Sequence, residues 1–337
     1  MICRRKHFYM LENNDIFDLK SCRLCPRRCG VNRYKSHGFC GAPAQLTAAR
    51  ASLHLWEEPC IAGDKGAGTV FFTYCQLGCV YCQNYAISSQ PQQTMRPFGK
   101  EISVRELTTS FLRLQSLGAA TIDLVTPTHY APQIIEALRL SRQGISGDKL
   151  TIPAVWNSSG YEAPQMVQAI AEDIDIFMPD FKYFDRKTAL RYSNAPDYPE
   201  RAMEAITAMV RAKGAPVFFP GSQSGHAAAD CSQPLLKSGV IIRHLVLPGH
   251  RHESIALVQE LYRRFGDGVI LSLMNQYTPI AGAAYLTDFP ELRRKLTKFE
   301  YASVVEAALD AGFTNAFIQQ GGTVSESFIP IFDGRGL

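Results

Sequence analysis

The residues of this chain best equipped for chemistry are three cysteines, Cys75, Cys79 and Cys82, set as C-x3-C-x2-C in Cys75-Gln-Leu-Gly-Cys79-Val-Tyr-Cys82. Closely spaced thiols on one loop are metal-cluster ligands first, because iron–sulfur clusters are held by cysteine thiolates. A cube-shaped 4Fe-4S cluster has four irons, so three thiolates leave one iron without a protein ligand, and an open position is what catalysis at a metal needs. Gly78, between the first two thiols, permits backbone angles that a bulkier residue resists. The plainer readings are a structural zinc site completed by a ligand elsewhere, or a disulfide with a spare thiol. Zinc sites usually come as paired C-x2-C knuckles, and a disulfide fits poorly where no export signal is predicted.

A second set of thiols precedes the first. Cys22, Cys25, Cys29 and Cys40 form a C-x2-C-x3-C-x10-C pattern studded with Gly and Pro. Such a segment has too little apolar material to fold unaided, and four thiolates on a metal, zinc or a second iron–sulfur cluster, could supply the missing stability. Reduced thiols in an irregular extension are the alternative. Residues 1–60 are therefore set apart as a Cys-rich N-terminal extension, and residues 61–337 as the main domain. Ala51 to Cys60 and the glycines after it read as a short strand and a loop feeding the strand of residues 69–74; within it His54, Glu57 and Glu58 read as structural residues near the site, and Cys60 has no evident partner.

The elements that must position these thiols follow from periodicity. The apolar run Thr69-Val-Phe-Phe-Thr-Tyr74 leads straight into Cys75 and reads as a strand, and further strands are predicted near 121–126, 152–156, 174–179, 240–246, 268–273 and 314–318. Helices are predicted over 104–117, with a capping box from Ser103 to Glu106 and a stop at Gly118, and over 132–143, 163–172, 200–212 and 253–265. Residues 287–311 read as helical. Alternating strands and helices at this spacing predict an α/β fold with a parallel sheet, a partial (β/α)6 TIM-like barrel with one or two extra elements.

In parallel barrels the chemistry gathers at the C-terminal ends of the strands. Here those ends read Val125-Thr-Pro-Thr-His129, Trp156-Asn-Ser-Ser-Gly160, Pro179-Asp-Phe-Lys182, Arg243-His244 and Met274-Asn-Gln276. Each has a local explanation, such as a turn at Asn157 to Gly160 or a hydrogen-bonded core histidine at His244. Their recurrence at five strand ends points to a shared pocket.

The C-x3-C-x2-C set with an aromatic residue, Tyr81, before the last cysteine resembles the radical S-adenosylmethionine (radical SAM) enzymes. The resemblance implies a 4Fe-4S cluster on Cys75, Cys79 and Cys82, S-adenosylmethionine chelated to the open iron with Tyr81 near its adenine, and reductive cleavage to a 5'-deoxyadenosyl radical. It extends over most of the chain. Phe71 through Asn84, Asn157-Ser-Ser-Gly-Tyr161, Asp180-Phe-Lys182 and Arg243-His-Leu-Val-Leu-Pro-Gly249 look like the strand ends of pyruvate formate-lyase activating enzymes. Cys22 to Arg33 looks like a segment of an uncharacterised subgroup related to them. By this resemblance Asn157, Ser158, Asp180, Lys182 and Arg243 line the S-adenosylmethionine side of the pocket, an external one-electron donor of flavodoxin or ferredoxin type serves the cluster, and the substrate is a glycyl loop of a partner enzyme, a small metabolite or another peptide. Two features depart from the pattern. Thr126-Pro-Thr-His129 stands where a Gly-Gly-Glu turn is usual, with Thr126, Thr128 and His129 as its remaining polar groups. The stretch from Phe218 to Ser238 is longer than the expected connection and reads as a lid or a surface insertion.

Composition excludes several other classes. The chain has 337 residues, 46% hydrophobic and 20% charged, with 35 basic against 31 acidic side chains and no long block of one sign, which argues against a nucleic-acid partner. The start, Met1 to Asp15, predicts no signal peptide, and no apolar run is long enough to cross a bilayer, so a cytoplasmic protein with no membrane partner is expected. Ten cysteines in a reducing compartment point to metal rather than disulfides. The rival from another class is a non-catalytic iron–sulfur or zinc scaffold, or a redox sensor.

Overall fold

A computed structural model describes residues 15–88, 97–144, 147–220, 234–279, 287–319 and 330–337. Its strands are β1 (Thr47–His54), β2 (Ala67–Phe72), β3 (Lys100–Glu101), β4 (Ile122–Val125), β5 (Ala154–Ser158), β6 (Ile176–Pro179), β7 (Val217–Phe218), β8 (Leu236–Leu245), β9 (Ile270–Met274) and β10 (Ala316–Ile318). The helices between them are α1 (Pro59–Ala62), α2 (Val104–Ser116), α3 (Ala131–Gln143), α4 (Pro164–Ile170), α5 (Arg186–Ser193), α6 (Tyr198–Lys213), α7 (Arg251–Phe265) and α8 (Lys298–Ala311).

One sheet runs in the order β10-β9-β8-β6-β5-β4-β2-β1-β3, with β7 paired to β8. The seven strands from β2 to β10 are parallel and lie side by side in chain order. Each return to the same end of the sheet runs through an intervening segment, most of them helical, which is how parallel neighbours must be joined. β2, β4, β5 and β6 are buried along their whole length, as expected of parallel strands covered on both faces. Among the described residues β10 and β3 are the two sheet ends, so the barrel stays open. This is the predicted mixed α/β fold with a partial barrel.

The sheet begins earlier than composition suggests. β1 pairs antiparallel with β2, from Ala48 opposite Phe72 to His54 opposite Ala67. Residues 47–54 therefore belong to the main sheet, inside the segment that composition set apart as an extension. Residues 330–337 return to β1 through Gly334 N–H to the Ala49 carbonyl, Ala51 N–H to the Arg335 carbonyl, and an Arg50–Asp333 ion pair of 3.1 Å.

The helices sit where predicted, with corrections. α2 has both halves of its capping box. The helix read over 287–311 is instead a short 3-10 turn, Pro290–Arg293, followed by α8, because Thr297 starts a new capping box with Glu300 and Arg294 pairs with the same carboxylate. α5 was not predicted. Of the connection from Phe218 to Ser238, residues 221–233 lie outside the described residues; its ends form the β7–β8 pair.

Candidate functional site

After β2 the chain turns sharply, with Tyr74 in the left-handed region at φ 79° and its N–H on the Ile87 carbonyl at 2.7 Å, which closes residues 74–87 into a loop. Gly78 inside it sits at φ 64°, the conformation for which glycine was expected. Cys79 is buried and Cys75 and Cys82 are partly buried. Burial, followed by the neighbouring Cys79 and Cys82, pushes the Cys75 thiol up to about 12, and burial with Cys79 pushes Cys82 up to about 11. The three thiols thus face one another and resist ionising unaided. Coordination to iron removes that resistance, so the donor set fits a cluster.

Sequence reading missed the groups that hold this loop. Gln76 donates from Nε2 to Thr128 Oγ1 and Ser159 Oγ, both at 3.1 Å, and Thr128 donates on to Glu162 Oε1 at 2.7 Å. On the other side Val80 N–H donates to the Tyr192 carbonyl at 2.9 Å, and Ser193 Oγ donates to Cys79 Sγ at 3.0 Å, both from α5. Arg27, from the N-terminal Cys-rich segment, donates to the carbonyls of Gln76, Ser193 and Asn194. The ring of Tyr81 packs edge-on against Tyr183, Tyr192 and Tyr277, with centroids 6.4, 6.0 and 6.4 Å away.

Two of the thiols, Cys79 and Cys82, open onto a cavity of about 440 Å³. Cys79, Tyr81 and Cys82 line one end, Asn157, Asp180, Lys182 and Arg243 its wall, and His54, Glu57, Glu58 and Pro59 are also part of its lining. The wall is one network. Arg243 donates to Asn157 Oδ1 at 2.6 Å, Asp180 Oδ1 at 3.1 Å and Glu57 Oε2 at 3.3 Å, and Lys182 Nζ donates to Asp180 Oδ2 at 2.5 Å. Burial works to raise the Asp180 carboxyl, but Lys182 and Arg243 outweigh it and hold the group below the usual carboxylate range. Burial likewise opposes the charge of Lys182, and Asp180 overcomes it, so the amine stays protonated.

The predicted residues are not all brought to this cavity. Tyr81, Asn157, Asp180, Lys182 and Arg243 line it. Ser158 follows Asn157 on β5 and so faces the other side of the strand, where its hydroxyl accepts from Gly160 N–H at 3.3 Å. In the turn after β4, Thr126 lies in the left-handed region at φ 57°, which is strained for a β-branched residue. Thr128 is tied to Gln76 and Glu162, and His129 bonds the Thr73 carbonyl at 2.7 Å. Burial and then Arg33 push the His129 imidazole down to about 3, so it is neutral. None of these three lines the cavity. His244 is a core histidine bonded to Phe181 and Ser254, both at 2.8 Å.

The N-terminal thiols are reduced, with Cys22 buried, Cys25 and Cys40 partly buried and Cys29 exposed. Cys22 N–H donates to Val31, Gly30 N–H to Cys22 and Arg28 N–H to Cys25, folding the segment into a knuckle. Gly38 is needed there, since a Cβ would lie 2.6 Å from Cys29 Sγ. Burial and then Cys40, with smaller effects from Cys22 and Cys29, raise the Cys25 thiol, so the other three cysteines are its neighbours.

Comparison with known proteins places this geometry. The chain is similar to an uncharacterized protein of Methanocaldococcus jannaschii, 25% identical over 297 residues that make up 86% of this chain and 74% of that one. Similar solved structures include Streptococcus suis SuiB (13% identity, TM-score 0.44, 75% of this chain and 48% of that one) and HydG, a maturase of the FeFe-hydrogenase (14%, 0.46, 70% and 47%). Another is native anSMEcpe with bound AdoMet (10%, 0.43, 75% and 58%). The chain spans about half the length of the first of these structures. Residues 69–221, from the cysteine-bearing strand onward, match the model of the Radical SAM superfamily.

Proposed function

We propose that the chain is a radical S-adenosylmethionine enzyme. The observation that carries this reading is the convergence of Cys79, Cys82 and Tyr81 with Asp180, Lys182 and Arg243 on one cavity, with Cys75 beside the two lining thiols. A 4Fe-4S cluster held by the three thiols would pass one electron from an external donor to S-adenosylmethionine, breaking its C5'–S bond into methionine and a 5'-deoxyadenosyl radical that takes hydrogen from the substrate. Lys182 lies close enough to the thiols to favour ionisation of Cys82, and it offers its charge to the methionyl carboxylate. Asp180, fixed by Lys182 and Arg243, keeps an acceptor ready for donors on the cofactor. Tyr81 and the tyrosines around it exclude water from the cysteine end.

The finer reading is an activating enzyme of the pyruvate formate-lyase type, with a glycyl loop as substrate and a flavodoxin or ferredoxin as donor. Its support is that four strand-end residues resembling that type, Asn157, Asp180, Lys182 and Arg243, share one wall. Co-expression with a candidate glycyl-radical enzyme should then produce a glycyl radical signal in electron paramagnetic resonance. Cys22, Cys25, Cys29 and Cys40 form a second metal site, iron–sulfur or zinc, supported by the other three being neighbours of Cys25. Metal and sulfide analysis of Cys25→Ala beside Cys75→Ala should show two independent losses.

The test of the main reading is the spectrum of the reduced cluster with and without S-adenosylmethionine. A cluster with an open iron changes its g-values when the ligand is added. A scaffold or sensor with four protein ligands gives the same spectrum twice.

A further inference from the structure

Among the described residues, the end of the cavity away from the cysteines carries more negative charge than its neighbours balance. Its origin lies in the chain path. β1 runs antiparallel to β2, and His54 pairs with Ala67 at the start of that strand, so the residues after His54 pass beneath the N-terminal ends of the parallel strands. α1 is fixed there by Thr121 Oγ1, which donates to the Ile61 carbonyl at 2.9 Å. Glu57 and Glu58, just before α1, therefore enter the barrel from below, whereas the cysteines follow the upper end of β2.

Four carboxylates, Glu57, Glu58, Asp123 and Asp180, meet two cations, Arg243 and Lys182. Asp180 engages both cations, and Glu57 shares Arg243 at 3.3 Å. Neither Glu58 nor Asp123 forms an ion pair among the described residues. Asp123 is fully buried and accepts at Oδ2 from Asn157 at 3.3 Å, while its Oδ1 has no hydrogen-bond partner. Glu58 lines the cavity, is only 8% exposed, and its Oε2 has no hydrogen-bond partner. Buried carboxylates left in this state are costly, and a cation brought to them removes the cost.

We propose that the floor of this cavity binds an organic cation, the protonated amine or guanidinium group of the substrate, with Glu58 and Glu57 as its counter-charges. The inference rests on the proposed function in one respect: the charged groups of S-adenosylmethionine are then met at the cysteine end, by Lys182 and the open iron, and leave the floor to the substrate. The environment agrees. Burial first, and then Asp123, raise Glu57 well above the usual carboxylate range, and burial raises Asp123 to about 7, in each case against the opposing pull of Arg243, so the one guanidinium does not offset the burial of these carboxyls. Among the described residues, no set of three acidic or His side chains is arranged for a single metal ion. Phe71 and Phe317, also on the cavity lining, offer apolar surface to an alkyl stem and ring faces to its charge.

The test is calorimetric titration of the cluster-loaded protein with S-adenosylmethionine and no reductant, so that it reads binding independently of radical formation. The probes are butylamine, butylguanidine and acetyl-Gly-Arg-Gly-amide, with 1-butanol and butyrate as uncharged and anionic controls. Cations should bind about tenfold or more tightly than butanol, butyrate should not bind, and Glu58→Gln should weaken the cations by about tenfold while leaving butanol unchanged. Tighter binding of the peptide than of butylguanidine assigns the cation to a protein side chain, and the reverse assigns it to a free small molecule. Glu57→Gln, checked for unchanged iron content and melting temperature, is the second variant. The proposal is overturned if no cation binds, if butanol binds as well as butylamine, or if both variants bind the cations like the parent.

Discussion

Arg243 is the residue on which the site's wall depends. It reaches Asn157, Asp180 and Glu57 at once, and removing it leaves Asp180 and Glu57 buried without their common partner. Arg243→Met is expected to lower stability by about 3–5 kcal/mol, the usual cost of orphaning a buried charge. Lys182→Gln leaves Arg243 on Asp180 and should cost stability less, while weakening S-adenosylmethionine binding about tenfold or more. Chemical denaturation and equilibrium binding on both variants check the pair; equal losses in both measurements would remove the distinction. At this scale the sequence was legible where spacing carries chemistry. The C-x3-C-x2-C set and four polar strand-end residues do converge. Glu57 and Glu58 were placed near the site but read as structural, and Gln76 and Glu162 were not legible, because a lone polar residue gains its role from partners about 34 to 83 positions away, and no local pattern marks it.

Among the elements, α5 illustrates what was overlooked and why. Arg186–Ser193 is short and mostly polar, so it offers few apolar residues from which a helical period can be read. Its ends nevertheless carried signals: Asp185 caps the N-terminus by accepting from Lys187 and Thr188, and Asn194 closes it in the left-handed conformation. The break before α8 had a similar signal in Thr297 and Glu300. α5 matters because its last residue, Ser193, donates to the Cys79 sulfur. Hydrogen bonds to ligand sulfurs stabilise the more negative, reduced cluster. Ser193→Ala should therefore keep the cluster but lower its reduction potential, measured by spectroelectrochemical titration, whereas an unchanged potential would mean that the bond does not act on the cluster.

At the scale of the whole molecule, the order of seven parallel strands could be read from length and Val/Ile/Leu content alone, because strands buried on both faces are continuous apolar runs. The edge could not. β1 and the segment 330–337 close one side through backbone bonds, which leave no mark in composition, and the apparent boundary at residue 60 falls past β1.

The buried polar layer also makes a global prediction. Burial raises the Glu162 carboxyl from its ordinary 4.5 to about 7. A raised pKa means that the folded state holds a proton which the unfolded chain releases, so this contribution is complete below about pH 4.5 and is lost as pH rises through about 7. Relative to the parent, Glu162→Gln should be nearly neutral at pH 5 and more stable by on the order of 1–3 kcal/mol at pH 8. Urea midpoints at the two pH values, taken anaerobically, test this, and a difference independent of pH would contradict it.

The central claim, that three thiols and one cavity together support radical chemistry on S-adenosylmethionine, is tested most directly by product analysis. Reconstituted protein given dithionite and S-adenosylmethionine without oxygen should release 5'-deoxyadenosine and methionine in equal amounts, and Cys79→Ala should release neither. Absence of 5'-deoxyadenosine from protein whose cluster is spectroscopically intact would contradict the account.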